Sequence, residues 1–97
     1  MNMQYDDGLV ENYKNLVNAV ILTAANDYRS ARRNQARKAE KLKMCRTNDS
    51  WERESSDLRS ATREVYMLER FFNSSEWFGL VNVDGKYILD ELRREFE

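Results

Sequence analysis

The chain has 97 residues, with 16 Lys+Arg against 17 Asp+Glu, no His, no Pro, one Cys and three Gly. That length suits a single domain with one modest core. One Cys without any His excludes a zinc finger, a Cys-His or Ser-His-Asp triad and an internal disulfide. No apolar run approaches the ~20 residues of a membrane span. The acidic start, Met1 to Gly8, lacks the cationic-then-apolar layout of a signal peptide. The expectation is a protein of the cytoplasm with a reduced thiol and no membrane partner.

The elements follow in chain order. The lack of Pro, and of Gly between Gly8 and Gly79, favours long helices. Leu9, Tyr13, Leu16, Val17, Val20, Ile21, Ala24, Tyr28, Ala31, Ala39 and Leu42 recur at steps near three and four. At 100° per residue they fall within a stripe roughly 140° wide. This predicts a first helix over about 8–45, ~54 Å long at 1.5 Å per residue. Asp6 and Asp7 suit its positive end; Lys41, Lys43 and Arg46 suit its negative end.

Thr47-Asn48-Asp49-Ser50 reads as a turn. Asp49 is the expected N-cap of a second helix over about 49–73, with Glu52 three residues on, close to a capping box. Trp51, Leu58, Ala61, Val65, Leu68 and Phe72 form its heptad-like seam. The short connection predicts antiparallel packing on the C-terminal part of the first helix. Asn73-Ser74-Ser75 breaks this helix, and Ser75 is expected to cap a short turn carrying Trp77, Phe78, Leu80 and Val81. Asp84-Gly85 suits a hairpin turn, but its flanks are not strand-like. Asp84 therefore reads as the N-cap of a last helix, Gly85 to Phe96, with Tyr87, Ile88, Leu89, Leu92 and Phe96 as its apolar set. The predicted fold is all-α: one domain, 1–97, built as a long antiparallel helical hairpin with a short aromatic-rich C-terminal helical cap over 75–97.

The net charge of −1 conceals three blocks. Residues 1–28 hold Asp6, Asp7, Glu11 and Asp27 against Lys14. Residues 29–46 hold Arg29, Arg32, Arg33, Arg37, Lys38, Lys41, Lys43 and Arg46 against Glu40 alone. Residues 47–97 are acidic again. Arg29, Arg33, Arg37 and Lys41 lie four apart and form a helical ridge, with Arg32 and Lys43 beside it. Guanidiniums so spaced can meet carboxylates or phosphates bidentately. Arg29, Arg32, Arg33, Arg37, Lys38 and Lys41 are thus the candidate partner-binding face. Six phosphate contacts would give a salt slope of about −5 in log affinity for duplex DNA. Three other readings stay open: a plain solvated face, an acidic protein surface as ligand, and the chain's own acidic C-terminal half.

Tyr66, Phe71, Phe72, Trp77, Phe78 and Tyr87 could stack bases, but their spacing reads as core. Trp51 either covers the end of the helix pair or marks a contact. Catalytic chemistry is poorly represented. Glu52, Glu54, Glu64 and Glu69 sit among arginines at ion-pairing distances. No Gly-rich phosphate loop, HExxH, GxSxG or DxDxDG pattern occurs. Basic neighbours favour the Cys45 thiolate, yet it has no His beside it. The expectation is no enzyme, no cofactor and no metal.

Glu69-Arg70-Phe71-Phe72-Asn73-Ser74-Ser75-Glu76-Trp77-Phe78, followed by Asp84-Gly85-Lys86-Tyr87-Ile88-Leu89 and Leu92-Arg93, resembles small helical proteins of phages, prophages and integrative elements of Gram-positive bacteria. Those carry a Glu-Arg-Phe-Phe-x-Ser-x-Trp-Phe block, then Asp-Gly-x-Tyr and a closing Leu-Arg. Their N-terminal part is similar to Ala24-Ala25-Asn26-Asp27-Tyr28-Arg29-Ser30-Ala31. The resemblance covers about half the chain, and this sequence departs from the block by one extra Ser in Asn73-Ser74-Ser75. It implies a mobile-element accessory protein inside a bacterial host cell and carries no activity with it.

The leading expectation is a non-catalytic phage or mobile-element protein that binds and inhibits a host protein or protein–nucleic-acid complex. A bacterial defence nuclease, as for an anti-CRISPR protein, is the candidate target. The alternative is a nucleic-acid-binding accessory or regulatory protein using the basic half of the first helix. A homodimer formed through the Trp51–Phe72 seam is a third reading.

Overall fold

A computed structural model describes residues 7–97. They form four helices: α1 (Asp7–Lys43), α2 (Asn48–Phe72), α3 (Ser75–Val81) and α4 (Gly85–Arg94), with no strand among the described residues. This is the expected all-α hairpin with a short helical cap. The reading of residues 1–6, including Asp6 at the helix start, lies outside the described residues.

Local chemistry sets each boundary. Lys41 and Lys43 occupy the last turn of α1, where the exposed carbonyls favour cations. Four residues after that helix ends, the capping arrangement differs from the expected one. Thr47, not Asp49, caps α2: its backbone is extended and its Oγ1 accepts from Ser50 N–H at 3.1 Å. The helix therefore begins at Asn48, and Asp49 serves as a first-turn acid instead. Likewise Ser74, not Ser75, caps α3, its Oγ accepting from Trp77 N–H. Asn82 ends α3 in the left-handed region at φ 57°, which Asn tolerates better than most residues. Asp84 caps α4 as expected, its Oδ1 accepting from Tyr87 N–H at 3.0 Å. α4 stops at Arg94, and Phe96 follows in a tighter turn whose N–H donates to the Arg93 carbonyl.

α2 packs antiparallel on α1. Tyr28 meets Glu69, Gln35 meets Thr62 and Lys38 meets Asp57. The core lies where the hairpin meets its cap. Ala24, Ala25, Tyr28 and Ala31 of α1 face Val65 and Phe72 of α2, Phe78 of α3, and Leu89 and Leu92 of α4. Three alanines on one helix face let the opposing backbones approach closely. Phe71, Phe72, Trp77 and Phe78 then stack as a ring cluster with centroids 4.9–5.9 Å apart.

Several expected core positions are not core. Trp51, at the start of the α2 seam, is 55 % exposed. Tyr66 and Tyr87 are exposed as well. The same is true of Leu9, Tyr13, Leu16 and Val20 in the α1 stripe. For the α1 positions the reason is length: α1 has 37 residues and α2 has 25, so the first turns of α1 have no α2 backbone opposite them.

Gly85 is the tightest point of the cap. A Cβ there would fall onto the Phe72 carbonyl oxygen and within 2.8 Å of two Phe78 ring carbons. The obstacle is partly backbone, which cannot swing away. Gly85→Ala is expected to lower stability by about 2 kcal/mol or more, read as a fall in the urea midpoint at unchanged slope.

Candidate functional site

The six candidate cations sit on one helix, so their bearing follows from its pitch. At 100° per residue, Arg32 and Arg29 turn toward α4, Lys38 turns toward α2, and Arg33, Arg37 and Lys41 turn away from both. The observed contacts follow this division. Arg29 donates from Nε and Nη2 to the two carboxylate oxygens of Glu95, at 2.8 and 2.9 Å. Its Nη1 also holds Asn26 Oδ1 at 3.0 Å. Arg32 donates to the Tyr28 hydroxyl at 2.8 Å and lies over the Phe96 ring, 5.0 Å from its centroid. Lys38 pairs with Asp57 at 3.7 Å.

The outward three differ. Arg37 Nη2 reaches only the neighbouring Asn34 Oδ1, at 3.0 Å. Arg33 and Lys41 are exposed and make no ion pair or side-chain hydrogen bond among the described residues. Adjacent Lys43 pairs with Glu40 at 3.3 Å. The basic run is thus split. Half of the candidate face is turned inward and helps hold the fold. Arg33, Arg37 and Lys41 remain as a cationic edge spanning ~12 Å along the helix axis.

Of the inward three, Arg32 joins a small polar network around Tyr28. The Tyr28 ring is fully buried, at 0 % exposure. Its hydroxyl donates to Glu69 Oε2 at 2.9 Å and accepts from Arg32. Arg93 adds a bond from Nε to the same Glu69 oxygen at 3.3 Å. Burial is the main reason that the Tyr28 hydroxyl titrates above its ordinary value. The hydrogen bond from Arg29 holds the Glu95 carboxyl below its ordinary value, with Arg33 adding a weaker attraction.

Cys45 donates weakly from Sγ to the Lys41 carbonyl, at 3.4 Å. Among the described residues, no group of three His, Cys, Asp or Glu side chains is placed to hold a metal ion. No helix there is long and apolar enough to cross a membrane.

Spacing offers Glu69 the nearby arginines of α2, whereas in the fold it meets Tyr28 and Arg93; spacing gives no partner for Glu95 or Asp57. The only signal was the acidic surplus of the last block, which left docking onto the basic run open. The specific pairings join residues as far as 66 positions apart and need the folded hairpin to appear. Compared with known protein families, curated proteins and solved structures, the chain matches none.

Two outcomes follow. Tyr28→Phe keeps the ring but strips Arg32 of its acceptor and Glu69 of a donor; a loss of about 2 kcal/mol is expected by chemical denaturation. The Glu95 carboxyl, titrated by carbon-detected NMR, is expected to titrate below its ordinary value, and Arg29→Gln is expected to move it back upward. Because the folded value is the lower one, the pair's contribution is complete above the unfolded value. It is lost as pH falls through the folded value.

Proposed function

We propose that this chain is a non-catalytic binding protein of a phage or related mobile element. It seats an acidic surface of a host protein against Arg33, Arg37 and Lys41 and blocks that protein. A bacterial defence nuclease is the target class, and the bacterial cytoplasm is the compartment in which it acts. The observation that carries this reading is the cationic edge left over after Arg29, Arg32 and Lys38 have found internal partners. The helix backbone that carries them is already ordered, so binding has only to order the side chains, and the planar Arg fork loses less freedom per hydrogen bond formed. The Glu-Arg-Phe-Phe and Asp-Gly-x-Tyr resemblance supports the mobile-element origin.

The test is a tagged pull-down from a bacterial lysate, split into nuclease-treated and untreated halves. It is run with the natural chain and with a Arg33→Glu, Arg37→Glu, Lys41→Glu variant. Among the described residues none of these three forms an ion pair within 4 Å, so the variant is expected to keep its helicity and cooperative unfolding, with a small loss of melting temperature from the weak attraction of Arg33 to Glu95. The expected result is one host protein retained after nuclease, whose activity the purified chain inhibits. The triple variant is expected to bind it at least about tenfold more weakly, ~1.4 kcal/mol. Loss of every partner after nuclease, with binding that weakens steeply with salt, would instead identify nucleic acid as the ligand. Turnover by the purified chain alone would overturn the non-catalytic reading.

A further inference from the structure

The first turns of α1 carry a second surface of opposite chemistry. Leu9 and Leu16 are each 63 % exposed, and Tyr13 and Val20 are exposed beside them. At 100° per residue these four and Thr23 span an arc of about 80°. Val81 and Val83 cover one flank, forming a cleft with Tyr13 and Val17. The other flank is open. It runs into a groove of about 480 Å³ between α1 and α2, walled by Ala19, Val20, Thr23, Ala24, Leu68 and Phe71, with Asp27 at its far end. Between residues 9 and 23 only Glu11 and Lys14 are charged. Both project more than about 120° from the centre of the apolar arc.

We propose that this face pairs with the same face of a second copy of the chain, antiparallel, about a two-fold axis at Leu16. Such an axis sets residue 9 of one copy level with residue 23 of the other. Leu9 and Tyr13 of each copy then enter the groove of the other, against Val20, Leu68 and Phe71. Projection and groove lie on the same surface, which is what a two-fold interface requires.

The area is consistent with this occupant. The uncovered apolar side chains amount to on the order of 500 Å² per copy, at the upper end of what a monomer leaves exposed. Two copies together bury about 1,000 Å², the lower bound of a specific interface. A weak, concentration-dependent dimer is therefore expected. Charge selects the same occupant. From Leu9 to Thr23 the face carries no charge, so over that stretch it meets its own copy without repulsion and offers nothing to phosphates or an ionic partner surface; Asp27 stands beyond it, at the far end of the groove. The seam expected to self-associate, Trp51 to Phe72, is largely consumed within the chain, since Ala61, Val65 and Phe72 are buried. The cationic edge of Arg33, Arg37 and Lys41 stays outside the interface, so this inference stands independently of the proposed function.

Sedimentation velocity of the full chain, from about 1 μM to about 1 mM, covers the range in which weak interfaces fill. The expected result is a shift from the 11.6 kDa monomer toward twice that mass. Leu16→Glu sets two carboxylates against each other at the axis and is expected to remain monomeric throughout. Its helicity and melting temperature are expected to be unchanged, because Leu16 is 63 % exposed in the monomer and lies outside the core. In a Cys45→Ser background, Leu16→Cys is expected to form a covalent dimer on mild oxidation. Leu9→Cys alone is not, whereas Leu9→Cys with Thr23→Cys is. A monomer at every concentration would overturn the proposal. So would a dimer that survives Leu16→Glu, or Leu9→Cys cross-linking to itself, which requires parallel chains.

Discussion

Tyr28 is the residue on which the arrangement depends. Its ring is fully buried between α1, α2 and α4, and Phe96 closes on it edge-on at 6.3 Å. A phenol placed there brings a hydroxyl into the interior, and an unpaired hydroxyl in such a place is costly. The chain resolves this with charge on both sides. Arg32 donates to the oxygen, the hydroxyl proton goes to Glu69, and Arg93 donates to that same carboxylate. Glu69 Oε2 of α2 therefore links to both α1 and α4. The neighbouring alanines, Ala24, Ala25 and Ala31, allow the backbones to come close enough for those bonds to form.

The two ends of the hairpin are consequently unlike. Around Tyr28 the packing is apolar, and the ring cluster of Phe71, Phe72, Trp77 and Phe78 extends it into the cap. Toward the turn at residues 44–47 the contacts are polar: Gln35 with Thr62, Lys38 with Asp57. None of residues 35–60 is buried, and Glu54 Oε2 and Ser55 Oγ are enclosed without a hydrogen-bond partner. Hydrophobic stabilisation is concentrated at the capped end. Local opening should thus begin at the turn, where few apolar contacts resist it. The outward cations Arg37 and Lys41 lie on that less anchored half.

α1 serves three purposes along one axis. Its first turns are apolar and unpaired by α2. Its middle supplies the core and the inward cations. Its last turns carry the outward cations. The acidic C-terminus takes up part of the basic run, as Glu95 does with Arg29. A charge block of the sequence is thus not one surface. It is divided by helical pitch into a structural side and a free side.

Helix existence, order and type were legible in the amino-acid sequence because their causes are local. They rest on a three-to-four residue apolar step, a lack of Pro and Gly, and capping side chains within a few positions of each terminus. Asp84 is the cap that its position predicts. Thr47 and Ser74 cap in place of Asp49 and Ser75, because adjacent residues of similar capping ability compete and backbone angles choose between them. The tertiary structure alone decided which apolar residues are buried and which cations are free. The α1 stripe has the same pattern at Leu16 as at Tyr28, but only Tyr28 has α2 and α4 opposite it. Arg29 and Arg33 sit one turn apart on the same ridge, but only Arg29 is within reach of both Glu95 oxygens. Periodicity records that a face is apolar or cationic; what lies against it depends on where distant segments return.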